Sequence, residues 1–218
     1  MREYQQDFLA LALEYQALRF GEFTLKSGRT SPYFFNAGRF NDGTALARLG
    51  RCYAAALTHS GLGFDMLFGP AYKGIPLVSA CAIAYAEQLG RNLPWAFNRK
   101  ETKTHGETGL IVGSALAGRV VIVDDVITAG TAVRESIELI RAAGAQPVAV
   151  ALALDRQERG QGNLSAVQEV KAEFGLDCVS ILTFDGLIEA LEGRAVRGFE
   201  PAQLAGLRSY RQKFGVLD

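Results

Sequence analysis

The chain has 218 residues, 49% of them hydrophobic, which suits the core of one large α/β domain. Lys+Arg and Asp+Glu both number 23, so no global field draws in nucleic acid or an anionic membrane, and any basic site must be local. Cys52, Cys81 and Cys178 form no metal-ligand pattern and predict buried, reduced thiols. With no signal peptide and no apolar run of membrane-spanning length, the protein is expected in the cytoplasm.

Residues 3–19 read as an amphipathic helix with Tyr4, Phe8, Leu11, Tyr15 and Leu18 on one stripe, packed on the domain or on a partner subunit. Phe23 to Phe35 reads as a hairpin turning at Gly28, which suits a small hood of about residues 1–40 better than an α/β core. A helix over 43–60 is capped by Asn41 or Asp42. Asp65 to Pro70 is a core strand that runs through the tight loop Ala71-Tyr72-Lys73-Gly74 into a helix at about 75–89. That loop is either an ordinary turn with an exposed lysine or a phosphate contact.

Pro94 to Asn98 is the next strand. The segment Arg99 to Gly109 follows, without an apolar residue, and gathers Arg99, Lys100, Lys103 and His105 within seven residues. Such a loop cannot bury itself. It is either a solvated surface loop or a mobile lid bringing cations over a polyanion.

The most informative stretch is Val120 to Ala132. Val120-Val121-Ile122-Val123 is an unbroken β-branched run, as expected of a strand buried on both faces of a parallel sheet. It ends at Asp124-Asp125, passes through Val126-Ile127 into the small-residue loop Thr128-Ala129-Gly130-Thr131-Ala132, and becomes a helix with Val133, Ile137 and Ile140 on one face, ending near Gly144. Ligands of open α/β sheets sit beyond the carboxyl ends of strands. The loop amides can close around an anion, with Gly130 free to take a positive φ and the threonine hydroxyls as further donors. The aspartates would repel that anion. They suit vicinal hydroxyls or a Mg²⁺ held directly or through water. A ribose 5-phosphate unit satisfies both halves. No P-loop and no dinucleotide-binding glycine motif competes.

Pro147 to Leu154 is a further strand ending at Asp155-Arg156, followed by a helix over 163–174, a strand Cys178 to Thr183, and helices at about 184–192 and 200–214. The predicted fold is therefore α/β, an open and mainly parallel sheet flanked by helices, in one domain spanning 1–218 with an N-terminal helix and hairpin hood.

The Asp124-to-Ala132 stretch resembles the phosphoribosyl-diphosphate signature of the type I phosphoribosyltransferases. The Lys26 hairpin with Phe34-Phe35, the Ala71-to-Gly74 loop, the Arg99-to-Gly109 segment and Asp155-Arg156 narrow the resemblance, over essentially the whole chain, to the bacterial-type orotate phosphoribosyltransferases. The resemblance implies a Mg²⁺-dependent pentosyl transfer in de novo pyrimidine synthesis, from phosphoribosyl diphosphate to orotate, by a cytoplasmic homodimer with shared active sites. By resemblance, Lys73, Arg99, Lys100, Lys103 and His105 surround the diphosphate, with Lys103 and the Asp124–Asp125 pair the catalytic candidates. Lys26 and Tyr72 join Val126 to Ala132 in holding the ribosyl diphosphate, whose 5-phosphate sits on Thr128 to Ala132. Phe34, Phe35, Thr128 and Arg156 take orotate, the guanidinium matching its carboxylate through two parallel hydrogen bonds. The metal is expected mainly on the substrate, near Asp124 and Asp125. The rivals are transfer to uracil or a purine, and a ligand-sensing regulator that binds nucleic acid.

Overall fold

The computed structural model describes residues 1–25, 28–103, 109–128, 130–160, 162–193 and 201–216. Helix α1 (Glu3–Glu14) leads into the antiparallel hairpin β1 (Leu18–Thr24) and β2 (Thr30–Phe35), a two-stranded sheet of its own. A 3₁₀ turn at Ala37–Arg39 precedes α2 (Gly43–His59). Then come β3 (Met66–Gly69), α3 (Gly74–Leu89), β4 (Trp95–Lys103), β5 (Gly109–Gly113), β6 (Arg119–Asp124), α4 (Thr131–Ala142), β7 (Gln146–Asp155), α5 (Ala166–Phe174), β8 (Asp177–Thr183), α6 (Phe184–Glu192) and α7 (Pro201–Phe214).

The six-stranded sheet has the order β5-β4-β3-β6-β7-β8, parallel throughout except for β5. Side chains alternate through it. Leu67, Val121, Val123, Ala149, Ala151 and Ala153 join the core shared with α1, α2, α3, α6 and the hairpin. Met66, Phe68, Val120, Ile122, Val150 and Leu152 face α4 and α5. Burial on both faces is why the β6 run is apolar without a break. Each such side chain contributes about 1.5–3 kcal/mol when fully buried.

The order in which strands are added to the sheet reverses between β3 and β6. From β3 the chain crosses to β4 on one side, and β6 lies on the other. This is the switch point of an open α/β sheet, where two neighbouring loops part and leave a crevice. Two glycines tighten it. A Cβ on Gly69 would meet the Gly74 carbonyl oxygen at 2.3 Å, and one on Gly74 would meet the Val123 carbonyl oxygen at 2.9 Å, so the start of α3 sits directly against the end of β6.

Several boundaries differ from the sequence reading. The first helix stops at Glu14 rather than near residue 19, because Gln16 takes φ 53° and Leu18, although in phase with the helical stripe, opens β1 instead. The hairpin accordingly begins at Leu18, five residues before Phe23. The helix expected from 163 starts at Ala166, where Ser165 caps it by accepting from the Gln168 amide at 3.2 Å. Asp42, of the two capping candidates, accepts from the Ala45 amide at 2.8 Å. Cys52 and Cys81 are buried, but Cys178 is only half-buried. The segment read as a polar loop from Arg99 is strand as far as Lys103, and β5, which the sequence reading did not include, pairs back on it with Lys103 opposite Gly109.

Candidate active site at the switch point

Three loops meet at the carboxyl ends of β3, β6 and β7, beside β4. At β3 the Ala71 amide donates to Asn98 Oδ1 of β4 at 2.9 Å, which pins the turn. The Ala71–Tyr72 peptide within that turn is cis. Tyr72 stands 67% exposed. Lys100 on β4 lies with its ammonium 5.2 Å from the Tyr72 ring centroid, a cation–π contact. Arg99 is half-buried beside it.

At β6, Asp124 and Asp125 are 8% and 4% exposed. Asp125 donates its amide to Asp124 Oδ1 at 2.9 Å, and the buried Tyr53 hydroxyl donates to the Asp124 carbonyl at 2.7 Å. Asp125 Oδ2 meets Lys73 Nζ at 2.6 Å, which ties the β3 turn to β6 across the switch point. Burial, followed by the neighbouring Asp125 charge, raises the Asp124 carboxyl above the ordinary carboxylate range.

Gly130 follows with φ 71°, and a Cβ there would meet Arg134 Nη1 at 2.8 Å. Thr128 and Thr131 are exposed and Ala132 is half-buried. Among the helices that follow strands, α2, α5 and α6 each have an N-cap side chain accepting a first-turn amide, from Asp42, Ser165 and Thr183. Neither α3 nor α4, the two at the switch point, has one. The first-turn amides of α4 and the positive end of its dipole are left for an anion, whereas at α3 the Gly74 and Ile75 amides return to the Pro70 and Tyr72 carbonyls and Pro76 has none.

Val126 and Ile127 present little side chain to this crevice. Ile127 is buried in the core against α4, and Val126 packs on the opposite core, so their usable groups are backbone ones. The Phe35 ring is likewise buried, 6.1 Å from Phe8. Phe34 turns the other way and lies 5.5 Å from Phe23, with Arg19 over its ring. Just before them is Tyr33, fully buried, on the same face of β2 as Phe35 and not among the expected residues. Its ring stacks on Phe184 at 4.7 Å and lies under the Arg156 guanidinium at 5.1 Å.

Arg156, just past β7, is ion-paired with Glu158. Glu158 Oε1 accepts from Arg156 Nε at 3.0 Å and Nη2 at 2.8 Å, and from the Tyr33 hydroxyl at 2.9 Å. The sequence reading found Arg156 and missed Glu158 and Tyr33. Glu158 lies two positions beyond Arg156, and Tyr33 is 125 positions before Glu158, so no local pattern signals the trio. Lys26, His105, Ala129 and the Lys103 side chain lie outside the described residues.

Comparison with known proteins agrees with this fold. The Phosphoribosyl transferase domain family matches residues 36–174, more than half of the chain. An orotate phosphoribosyltransferase of Thioalkalivibrio sulfidiphilus is 62% identical, covering 99% of this chain and 100% of its own length. One of Cellvibrio japonicus is 58% identical, covering 99% of each. A crystal structure of an orotate phosphoribosyltransferase from Francisella tularensis superposes with a TM-score of 0.86 at 40% identity, covering 95% of this chain and 98% of that one.

Proposed function

The chain belongs to the orotate phosphoribosyltransferases, and on that premise we propose that it transfers the phosphoribosyl group of 5-phospho-α-D-ribose 1-diphosphate to orotate, releasing pyrophosphate and orotidine 5′-phosphate in pyrimidine synthesis. The bond from ribose C1 to the diphosphate oxygen breaks, and a bond from C1 to a ring nitrogen of orotate forms. The observation that carries the site assignment is the Lys73–Asp125 pair, which ties the β3 turn to the buried Asp124–Asp125 carboxylates beside the uncapped start of α4.

In this reading the α4 start, with Thr128 and Thr131, holds the 5-phosphate. Lys73, Arg99, Lys100 and Lys103 stabilise negative charge that grows on the leaving diphosphate, a preorganised electrostatic role. His105 and Lys26 add donors at its edges. Asp124 and Asp125 accept from the ribose hydroxyls and favour positive charge on the ring as C1 loses its diphosphate. Substrate would draw Lys73 from Asp125 toward the diphosphate and leave that carboxylate to the ribose. Arg156 takes the orotate carboxylate, while Phe34 and Phe35 contribute backbone groups to the pyrimidine.

Mg²⁺ fits this chemistry as a hard cation near two carboxylates. Among the described residues no cluster of three or more metal-ligating side chains occurs, so most of its ligands would come from the substrate. When bound, it would neutralise diphosphate charge. Spectrophotometry of orotate consumption with the ribosyl diphosphate tests the function. Turnover is expected with Mg²⁺ and not in excess chelator, and turnover in excess chelator would remove the metal role.

We also propose a cytoplasmic homodimer in which the Lys103 segment of one protomer serves the Asp124–Asp125 site of the other. Support comes from apolar residues left exposed, Tyr72 at the site and, farther along α3, Ile83 at 57% and Leu89 at 48%. Mixing Lys103→Ala with an Asp124→Asn, Asp125→Asn protein then puts both lesions into one site of each mixed dimer. Random reassociation should restore about one quarter of wild-type activity. No recovery, with mixed dimers verified by mass spectrometry, would exclude sharing.

A further inference from the structure

We propose that Glu158 is a positioning residue for base recognition, holding the Arg156 guanidinium so that one edge remains for the substrate carboxylate. The inference rests on the assignment of Arg156 to that carboxylate. A guanidinium has two edges that can grip a carboxylate with paired N–H groups, Nε with Nη2 and Nη1 with Nη2. The Nε–Nη2 edge is occupied by Glu158 Oε1, at 3.0 and 2.8 Å. Nη1 makes no hydrogen bond among the described residues, and the Nη1–Nη2 edge is the one left to a ligand.

The holder is itself held. The same Glu158 oxygen takes the Tyr33 hydroxyl at 2.9 Å. The Tyr33 ring is wedged between Phe184, stacked at 4.7 Å, and Tyr210, edge-on at 6.3 Å. Glu158 also forms a backbone bridge to Gly215, and the Arg159 amide beside it donates to the Phe214 carbonyl at 2.9 Å. Arg29 of the hairpin donates to the Arg159 and Gly160 carbonyls at 2.7 and 3.1 Å. The carboxylate is therefore fixed from the hairpin and from the end of α7, elements remote from the β6–α4 loop. With side-chain exposures of 15% and 12%, Arg156 and Glu158 are shielded enough for this pairing to hold its geometry without substrate.

Steady-state kinetics with both substrates varied test the proposal. Glu158→Ala should raise KM for orotate about tenfold or more, with KM for the ribosyl diphosphate within about twofold of wild type. Glu158→Gln, whose amide oxygen still accepts from Arg156 and Tyr33, should recover most of that loss, which a requirement for charge alone would not allow. Should Glu158→Ala fail to fold, Glu158→Asp reads the same point, because it keeps the charge and withdraws the carboxylate by one methylene. An unchanged orotate KM in the variant read, or equal rises for both substrates, overturns the proposal. Arg156→Ala separates the two layers. A normal orotate KM there means the assignment of Arg156 itself has failed, whereas a raised one beside normal Glu158 variants removes only the positioning role.

Discussion

The β6–α4 region and the Tyr33–Glu158–Arg156 region solve opposite electrostatic problems. The first is left open: two adjacent carboxylates are buried with one lysine, on Asp125, and the start of α4 beside them has no capping side chain. The second is closed, with one carboxylate oxygen taking three donors inside an aromatic cage. A buried pair of like charges is costly in the empty fold and has most to gain when hydroxyl donors arrive. A closed cluster gives less to a ligand but sets the direction of the one group left open. On the proposed function, the first region carries the gross binding of the ribosyl diphosphate and the second the choice of base.

The largest effect expected lies on the polyphosphate side. Lys103→Ala should lower kcat by about 10²–10³, the range for losing one preorganised charge-stabilising donor, while KM for the ribosyl diphosphate moves less. A kcat within about twofold of wild type would return the Lys103 segment to a solvated strand end. Arg156→Ala should cost about 2–4 kcal/mol in kcat/KM for orotate, since it removes a charge-assisted partner. Its ribosyl diphosphate kinetics should stay close to wild type, and parallel losses on both substrates would erase the division between the two regions.

Asp124 sharpens the contrast through pH. Its carboxyl is raised, so between the ordinary carboxylate value and the raised one the folded state keeps a proton that the unfolded chain releases. Stability from this group is thus fully present below the ordinary value and is lost as pH rises through the raised one. Asp124→Asn should therefore raise the Tm of the ligand-free protein by about 2–6 °C at pH 8, with a smaller gain near pH 5, while activity falls. Calorimetric scans at the two pH values check this, and a lower Tm at pH 8 would contradict it. The smallest effect is expected away from both regions. Ser165→Ala should cost about 1 kcal/mol in denaturant melts through the lost α5 cap, with kinetics unchanged.

Legibility in the sequence followed the same division. The β6–α4 region is one contiguous stretch, so its buried strand, carboxylates, small-residue loop and helix could be read in order. The parallel order of the other core strands followed from their alternation with helices. The extension of β4 through Arg99 to Lys103 was hidden, because polar residues there join a strand by pairing with β5, not by burial. The overlong first helix arose because Leu18 keeps the helical phase while the backbone turns at Gln16. Tyr33 sits beside the expected Phe34 and Phe35, but alternation along β2 turns Phe34 away, and Phe35, on the same face as Tyr33, packs on Phe8 and leaves Arg156 to Tyr33. Glu158 had no signal beyond its charge, since its function depends on a hairpin far away in the chain.

A competition between bases offers the decisive measurement. Wild-type protein is given equimolar orotate and uracil with the ribosyl diphosphate and Mg²⁺, and the nucleotide products are separated by chromatography. Orotidine 5′-phosphate should form to the near exclusion of uridine 5′-phosphate, because only orotate carries the carboxylate that Arg156 is placed to take. Comparable amounts of the two nucleotides would contradict the assignment of base choice to the Tyr33–Glu158–Arg156 region.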